Sequence, residues 1–395
     1  MADKTISEAV SDRYARAAAA GEQMCCPTQY NLEELRTFIP DEVLKISYGC
    51  GTPVGLQTVR VGETVLDIGS GGGIDCFDAA RRVGPGGRVI GLDMTDTMLA
   101  IARRNTPIVA ANLGYAHSNV EFRKGLAEDM PIEDGSIDLI ISNCVINLAP
   151  DKHKVFREMF RVLRPDGRFT ISDIVSDRFV PNYLIHDNEK WGNCLSGALQ
   201  VGQYMAGMVE AGFLGLHQVR SAPWQTIDGI QFLSITLTGY KLPPREEEHD
   251  QVFVTLRGPF SAVIDERGET YRRGEPKGVN EQSAELLALP PLAPLFLRTE
   301  VPCRLSPSDP RLTMILPETA PCVWRGDYVI LAGPFLEAHD DDQHVYRRGE
   351  PVEICSKTRK VLESEGYRTY FAIINRASEQ VIGTEVSCSP NGACC

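Results

Sequence analysis

The stretch Val65-Leu-Asp-Ile-Gly-Ser-Gly-Gly-Gly-Ile-Asp75 narrows the possible folds more than any other part of the chain. The run Val65–Ile68 reads as a buried strand and stops at a burst of glycines. A helical pattern over 74–83 follows at once. Glycines at a strand-to-helix turn let the backbone approach a ligand where a Cβ would clash, and the helix start adds free N–H donors. A second strand over 88–93 ends in Asp93, an acid placed to hold ribose hydroxyls. Strand, glycine turn, helix, strand and acid together make a nucleotide-cofactor half-fold. Its spacing, Asp67-x-Gly-x-Gly-x-Gly73, puts a carboxylate ahead of the glycines. That carboxylate repels a pyrophosphate and suits an amine or sulfonium cation. The pattern favours S-adenosylmethionine over a dinucleotide, with Asp67, Gly69, Ser70, Gly71 and Asp93 as cofactor-binding candidates.

Periodicity extends the half-fold. Strands are expected at 63–68, 88–93, 120–124, 137–143, 168–175, 216–221 and 231–239, with helices at 74–83, 96–112 (bent near Pro107), 151–163 and 203–211. Such alternation predicts an α/β fold with a mostly parallel sheet covered on both faces. Ala127 and Glu128 follow the third strand and are placed near the adenine. Asn143 closes the fourth strand at the carboxyl edge, where open α/β sheets bind ligands. Its neighbour Cys144 reads as a small core residue.

Four segments emerge. Residues 1–60 form an N-terminal lid segment, with helical stretches at 7–20 and 31–38 and a cysteine, Cys50, held between two glycines. The cofactor domain covers 61–241. Residues 242–250 carry two prolines and a charge run, the composition of a linker. Residues 251–395 hold an internal repeat, in which Gly258-Pro-Phe260 and Tyr271-Arg-Arg-Gly-Glu-Pro276 return at Gly333-Pro-Phe335 and Tyr346-Arg-Arg-Gly-Glu-Pro351. Each copy reads as a β-hairpin unit too small for a core of its own, giving a mainly β C-terminal domain. The tail, Cys388-Ser-Pro-Asn-Gly-Ala-Cys394-Cys395, is rich in thiols.

A net charge of −13 over 395 residues argues against nucleic acid or an anionic membrane as partner. No secretory or membrane-spanning run is evident, so a cytoplasmic enzyme is expected. In that compartment the 12 cysteines are not expected to form a disulfide framework, and they lack zinc spacing. Cys50 and Cys194 stand out because each lies among small residues in an irregular segment flanking the sheet's carboxyl edge. Cys25 and Cys26 are adjacent, and either could pair with a third thiol.

These residues resemble the arsenite S-adenosylmethionine methyltransferases over about residues 10–241. The matching pieces are Tyr48-Gly-Cys50-Gly, Leu66-Asp-Ile-Gly-Ser-Gly with Asp75-Cys76, Gly91-Leu-Asp93-Met94-Thr95, Ser142-Asn-Cys-Val-Ile-Asn-Leu148 and Trp191-Gly-Asn-Cys194-Leu-Ser-Gly-Ala-Leu199. The resemblance implies a Rossmann-like class I methyltransferase that transfers methyl groups to arsenite or a methylated trivalent arsenical. It implies Cys50 and Cys194 as the arsenic-holding catalytic thiols, and Tyr48 and Met94 as further cofactor contacts. Cys25 or Cys26 would pair with Cys50 in a redox step served by a glutathione- or thioredoxin-like reductant. One departure is that Leu214 follows Ala211-Gly-Phe213, where the family carries a further cysteine. Two alternatives are a methyltransferase for a small organic nucleophile, with His186 and Asp187 as its base pair, and a soft-metalloid binding protein.

Overall fold

The computed structural model describes residues 10–16, 30–46, 48–54, 59–185, 195, 197–243, 252–313, 322–364 and 366–374. The chain divides into two units, Met1–Phe213 with Arg220–Lys241, and Leu214–Val219 with Leu242–Cys395.

The first unit starts with α1 (residues 10–16), α2 (Leu32–Leu35) and α3 (Asp41–Lys45). Then β1 (Thr64–Ile68), α4 (Ile74–Val83), β2 (Arg88–Asp93), α5 (Asp96–Asn112), β3 (Val120–Lys124) and β4 (Ile137–Asn143) alternate. They are followed by α6 (Lys152–Val162), β5 (Leu163–Ser176), α7 (Asn182–Ile185), α8 (Val201–Glu210), β6 (Leu214–Ile227) and β7 (Ile230–Tyr240). The sheet order is β3-β2-β1-β4-β5-β7-β6. Strands β3, β2, β1, β4 and β5 run parallel, and β7 is antiparallel to β5. The order reverses between β1 and β4, the topological switch point at which such sheets bind ligands.

Local chemistry sets these elements. β1 is apolar on both faces, with Val65, Leu66 and Ile68 buried, because helices cover both sides of a parallel sheet. Burying each such side chain contributes about 1.5–3 kcal/mol. α6 starts where the Asp151 side chain accepts the Lys154 N–H at 2.9 Å, and it buries Val155, Phe156, Met159 and Val162. α5 runs through Pro107 as one helix. Under the sheet, the Arg168 guanidinium grips Glu63 with both Nη atoms, at 2.7 and 2.9 Å, and both side chains are buried.

The second unit holds β8 (Val252–Leu256), β9 (Ala262–Ile264), β10 (Thr270–Arg272), β11 (Pro276–Val279), α9 (Glu281–Leu287) and β12 (Phe296–Thr299). The pattern then returns as β13 (Trp324–Leu331), β14 (Glu337–His339), β15 (Val345–Arg347), β16 (Pro351–Cys355), α10 (Ser356–Leu362) and β17 (Phe371–Ile374). Each copy is more than a hairpin. The strand before the Gly-Pro turn does not pair with the strand after the acidic tip; β8 pairs with β11 and β12, and β13 with β16 and β17. Each copy also holds a helix that the sequence reading lacks, α9 and α10, each only two turns long.

Strands β9 and β14 join the copies in one sheet, β10-β9-β14-β15, and Val263 pairs with its own counterpart Ala338. A local two-fold axis therefore passes between these residues. Ion pairs swap across it: Arg273 binds Asp341 (Nη1–Oδ2 3.1 Å), and Arg348 binds Glu266. Phe260 and Phe335 meet edge to face at 5.9 Å in the shared core.

Arg168→Ala is expected to destabilise the first unit by about 3–5 kcal/mol, because it strands a buried Glu63 carboxylate. The shift of that unit's urea midpoint measures the loss, and a change under about 1 kcal/mol would refute a dry, paired site.

Candidate functional site

At the switch point, β1 ends and the glycine turn begins. Gly71 N–H donates to Asp93 Oδ2 at 2.8 Å and Thr95 N–H to Asp93 Oδ1 at 2.8 Å, so the acid at the end of β2 props the turn open. No atom lies within 4 Å of where a Gly71 Cβ would be, and its φ of +52° is costly for other residues. The backbone there faces open space.

A pocket lies over this turn. Its lining includes Tyr14, Tyr48, Gly69, Ser70, Gly71, Asp75, Asp93, Met94, Ala127, Glu128, Asn143 and Cys144. The acids Asp75 and Asp93 line it, and Asp67 lies close to both. Asp67 accepts the Cys76 thiol at 3.2 Å, and Asp75 accepts the Tyr30 hydroxyl at 2.8 Å. Burial pushes Asp67 well above the usual carboxylate range, with Asp75 adding to it, and pushes Asp75 up to about 6. Burial also raises Asp93. Among the described residues, none of the three is paired with a lysine or arginine. Asp75 Oδ1 and Ser70 Oγ are buried without a hydrogen-bond partner. An uncompensated acidic floor with spare acceptors fits a ligand that carries an amine and a sulfonium.

Asn143, the last residue of β4, couples that floor to Cys50. Its Oδ1 accepts the N–H groups of Cys50 (3.0 Å) and Gly51 (3.2 Å), and its Nδ2 donates to Gly51 O (2.8 Å) and to the Tyr30 hydroxyl (2.9 Å). The flanking glycines are a packing requirement. A Cβ on Gly49 would lie 2.5 Å from Asn143 Nδ2, and one on Gly51 would overlap the Ser172 side chain. Ser234 Oγ donates to Cys50 O at 2.6 Å.

One residue beyond Asn143, the backbone of Cys144 turns left-handed (φ +60°), with its N–H donating to Ser172 O at 2.7 Å. A non-glycine residue held there is strained, and such strain clusters at functional sites. The turn brings Cys144 to Cys50. The two sulfurs and a carboxylate oxygen of Asp173 all lie within 4.8 Å of one another, and all three residues are buried. Asp173 accepts Ile174 N–H (2.9 Å), Asn147 N–H (3.0 Å) and the Tyr204 hydroxyl (3.2 Å). Burial nonetheless pushes its carboxyl up to about 7.

Residues 60–212 match the family model of a methyltransferase domain, and residues 244–312 and 318–394 match that of a domain of unknown function (DUF8838). The arsenite methyltransferase of Halobacterium salinarum is 40% identical over 227 residues, which span 52% of this chain and 56% of that protein. The arsenite methyltransferase of Mus musculus is 31% identical over 333 residues, 80% of this chain and 85% of the mouse protein. The chain belongs to the arsenite methyltransferase family. The crystal structure of the arsenic(III) S-adenosylmethionine methyltransferase of Chlamydomonas reinhardtii superposes with a TM-score of 0.55 at 30% identity, covering 71% of this chain and all of that one. S-adenosylmethionine is the cofactor. Among the described residues, no helix is long and apolar enough to cross a membrane.

Tyr48, Gly69, Ser70, Gly71, Asp93, Met94, Ala127, Glu128 and Asn143 all line the pocket, while Asp67 lies beneath it. Cys25, Cys26, Cys194 and the alternative pair His186 and Asp187 lie outside the described residues. Leu214 packs against the core of the second unit. The sequence reading missed Tyr30 and Asp173. It placed Cys144 in the core, and Cys144 does belong to a buried apolar cluster, one that also holds Cys50. The available signal was its position just past a strand's carboxyl end; for Asp173 it was an acid inside an apolar strand.

Since a cationic ligand favours ionised acids, affinity for S-adenosylmethionine is expected to fall as pH drops below about 6, where Asp75 takes up a proton. The fall should approach but not exceed about tenfold per pH unit for that one group. Calorimetry on the parent protein and on Asp75→Asn checks this; equal pH dependence in both would refute it.

Proposed function

We propose that this chain transfers methyl groups from S-adenosylmethionine to trivalent arsenic, arsenite or methylarsenite, held by cysteine thiolates. The observation that carries the reading is the buried Cys50–Cys144–Asp173 cluster, joined through Asn143 to the acidic cofactor pocket. Arsenic(III) is soft and thiophilic, and two sulfurs at this separation suit it as they suit soft metal ions. Each thiol gives up its proton as the arsenic–sulfur bond forms, and arsenic loses water. Asp173 stands beside both sulfurs to take up or return such a proton.

Bound in the pocket, S-adenosylmethionine supplies a methyl group on a positively charged sulfur. Arsenic keeps a lone pair when bound to thiolates, so no side chain has to deprotonate an attacking atom. The protein's work is alignment in a dry site: Asn143 and Ser234 fix the Cys50 backbone, and Ser172 fixes that of Cys144. Gaining a methyl formally oxidises arsenic to As(V). Two electrons from a thiol pair, Cys50 with Cys25 or Cys26, restore As(III) and leave a disulfide, which a glutathione- or thioredoxin-like reductant reopens. Cys194 completes the proposed thiol set. The setting proposed for this chemistry is the cytoplasm.

Cys50→Ser, Cys144→Ser and Cys194→Ser are each expected to lower arsenite methylation by about 100-fold or more, since misplacing the reacting atom by an ångström already costs that much. Affinity for S-adenosylmethionine should stay within about twofold in Cys50→Ser, because Cys50 does not line the pocket. Speciation of methylated products by mass spectrometry is the measurement. Undiminished turnover in Cys50→Ser would end the reading.

A further inference from the structure

The second unit contains a thiol pair that the methyl-transfer site does not use. Cys355 ends β16, and its backbone pairs with Trp324 at the start of β13. One residue on, Ser356 N–H donates to Val323 O at 2.8 Å and Val323 N–H to Ser356 Oγ at 3.1 Å. This ladder brings the Cys322 thiol into hydrogen-bond contact with the Cys355 sulfur. Both residues are buried, and neither is in a disulfide. Thr358 Oγ1 lies 3.4 Å from the Cys355 sulfur. Burial raises the Cys355 thiol, but the contacts from Thr358 and Cys322 outweigh it and hold the thiol below its ordinary range.

The internal repeat separates structural duty from chemistry here. The position matching Cys355 in the first copy is Asn280, whose Oδ1 accepts Ser283 N–H at 2.8 Å and caps α9. Asparagine is among the best residues for that task, and cysteine is not. In the second copy the Cys355 sulfur meets the Thr358 and Lys357 backbone N–H groups at the start of α10, so it shares the capping place, and the feature that capping does not call for is the second thiol against it.

We infer that Cys322 and Cys355 form a dithiol site for a trivalent arsenical with two exchangeable oxygen ligands, separate from the Cys50–Cys144 site. Two arsenic–sulfur bonds replace two arsenic–oxygen bonds. The thiol protons leave with the oxygens as water, and arsenic stays As(III), so no oxidant or reductant is consumed. The inference does not depend on methyl transfer in the first unit.

The test uses the reduced full-length protein and phenylarsine oxide, with native mass spectrometry counting phenylarsine adducts in the absence of S-adenosylmethionine. Cys355→Asn, which installs the first copy's cap, and Cys322→Ser should each bind one adduct fewer than the parent. The double variant should also bind one fewer, because the two sulfurs serve one arsenic. An unchanged count in both single variants, or a loss of two in the double variant, would overturn the site. On the parent protein itself, phenylarsine oxide should protect Cys322 and Cys355 together from iodoacetamide; protection of one without the other would overturn it as well. The adduct count stands or falls apart from arsenite turnover, so the two readings fail separately.

Discussion

One carboxamide holds the methyl-transfer site together. Asn143 sits where β4 leaves the sheet, and it offers the Cys50–Gly51 backbone both an acceptor and a donor while also bonding Tyr30. Isolated in an apolar interior, each of those backbone groups would be costly. Satisfied by one side chain, they fix the N-terminal segment against the carboxyl edge of the sheet. The same residue therefore sets the position of a proposed arsenic ligand and one wall of the cofactor pocket. The glycines on either side of Cys50 follow from that closeness, since a side chain at Gly49 would collide with the amide.

The pocket and the thiol cluster use opposite chemistry on adjoining ground. The acids Asp67 and Asp75, buried, and Asp93, half-buried, are hard oxygen donors without a basic partner among the described residues and suited to a positively charged ligand. Cys50 and Cys144 are soft donors suited to a thiophilic atom. Pocket and cluster meet at the left-handed turn of Cys144, which lines the pocket and whose sulfur lies within 4.8 Å of that of Cys50. Strain at that residue is tolerated because Ser172 holds its N–H.

Much of this was legible in the sequence. The first four strands, their glycine turn and the acid at the end of β2 follow from apolar runs, glycines and acids that are local in the chain, whereas Tyr48 and Met94 came from the family resemblance. The Cys50–Cys144 encounter was not, because it joins residues far apart and depends on one backbone angle that no periodicity encodes. Free cysteine is so often core material that Cys144 looked ordinary. Asp173 was hidden for a related reason: flanked by Ile171, Ser172 and Ile174, it interrupts an apolar strand without changing its pattern. In the second unit the repeat was plain from Tyr-Arg-Arg-Gly-Glu-Pro, but its strand pairing was not. The Gly-Pro turn sends β9 into a different sheet from β8, which motif spacing alone does not show.

The exchange of ion pairs across the local two-fold axis has a mechanical consequence. Arg348 neutralises buried Glu266 and half-buried Arg273 meets exposed Asp341, so each ion pair takes one member from each copy. Neither half closes on itself. A chain shortened to the first copy would expose half of a shared aromatic core and leave buried Glu266 with the backbone N–H groups of Gly215 and Leu216 but without its guanidinium, so the duplicated halves form an indivisible folding unit.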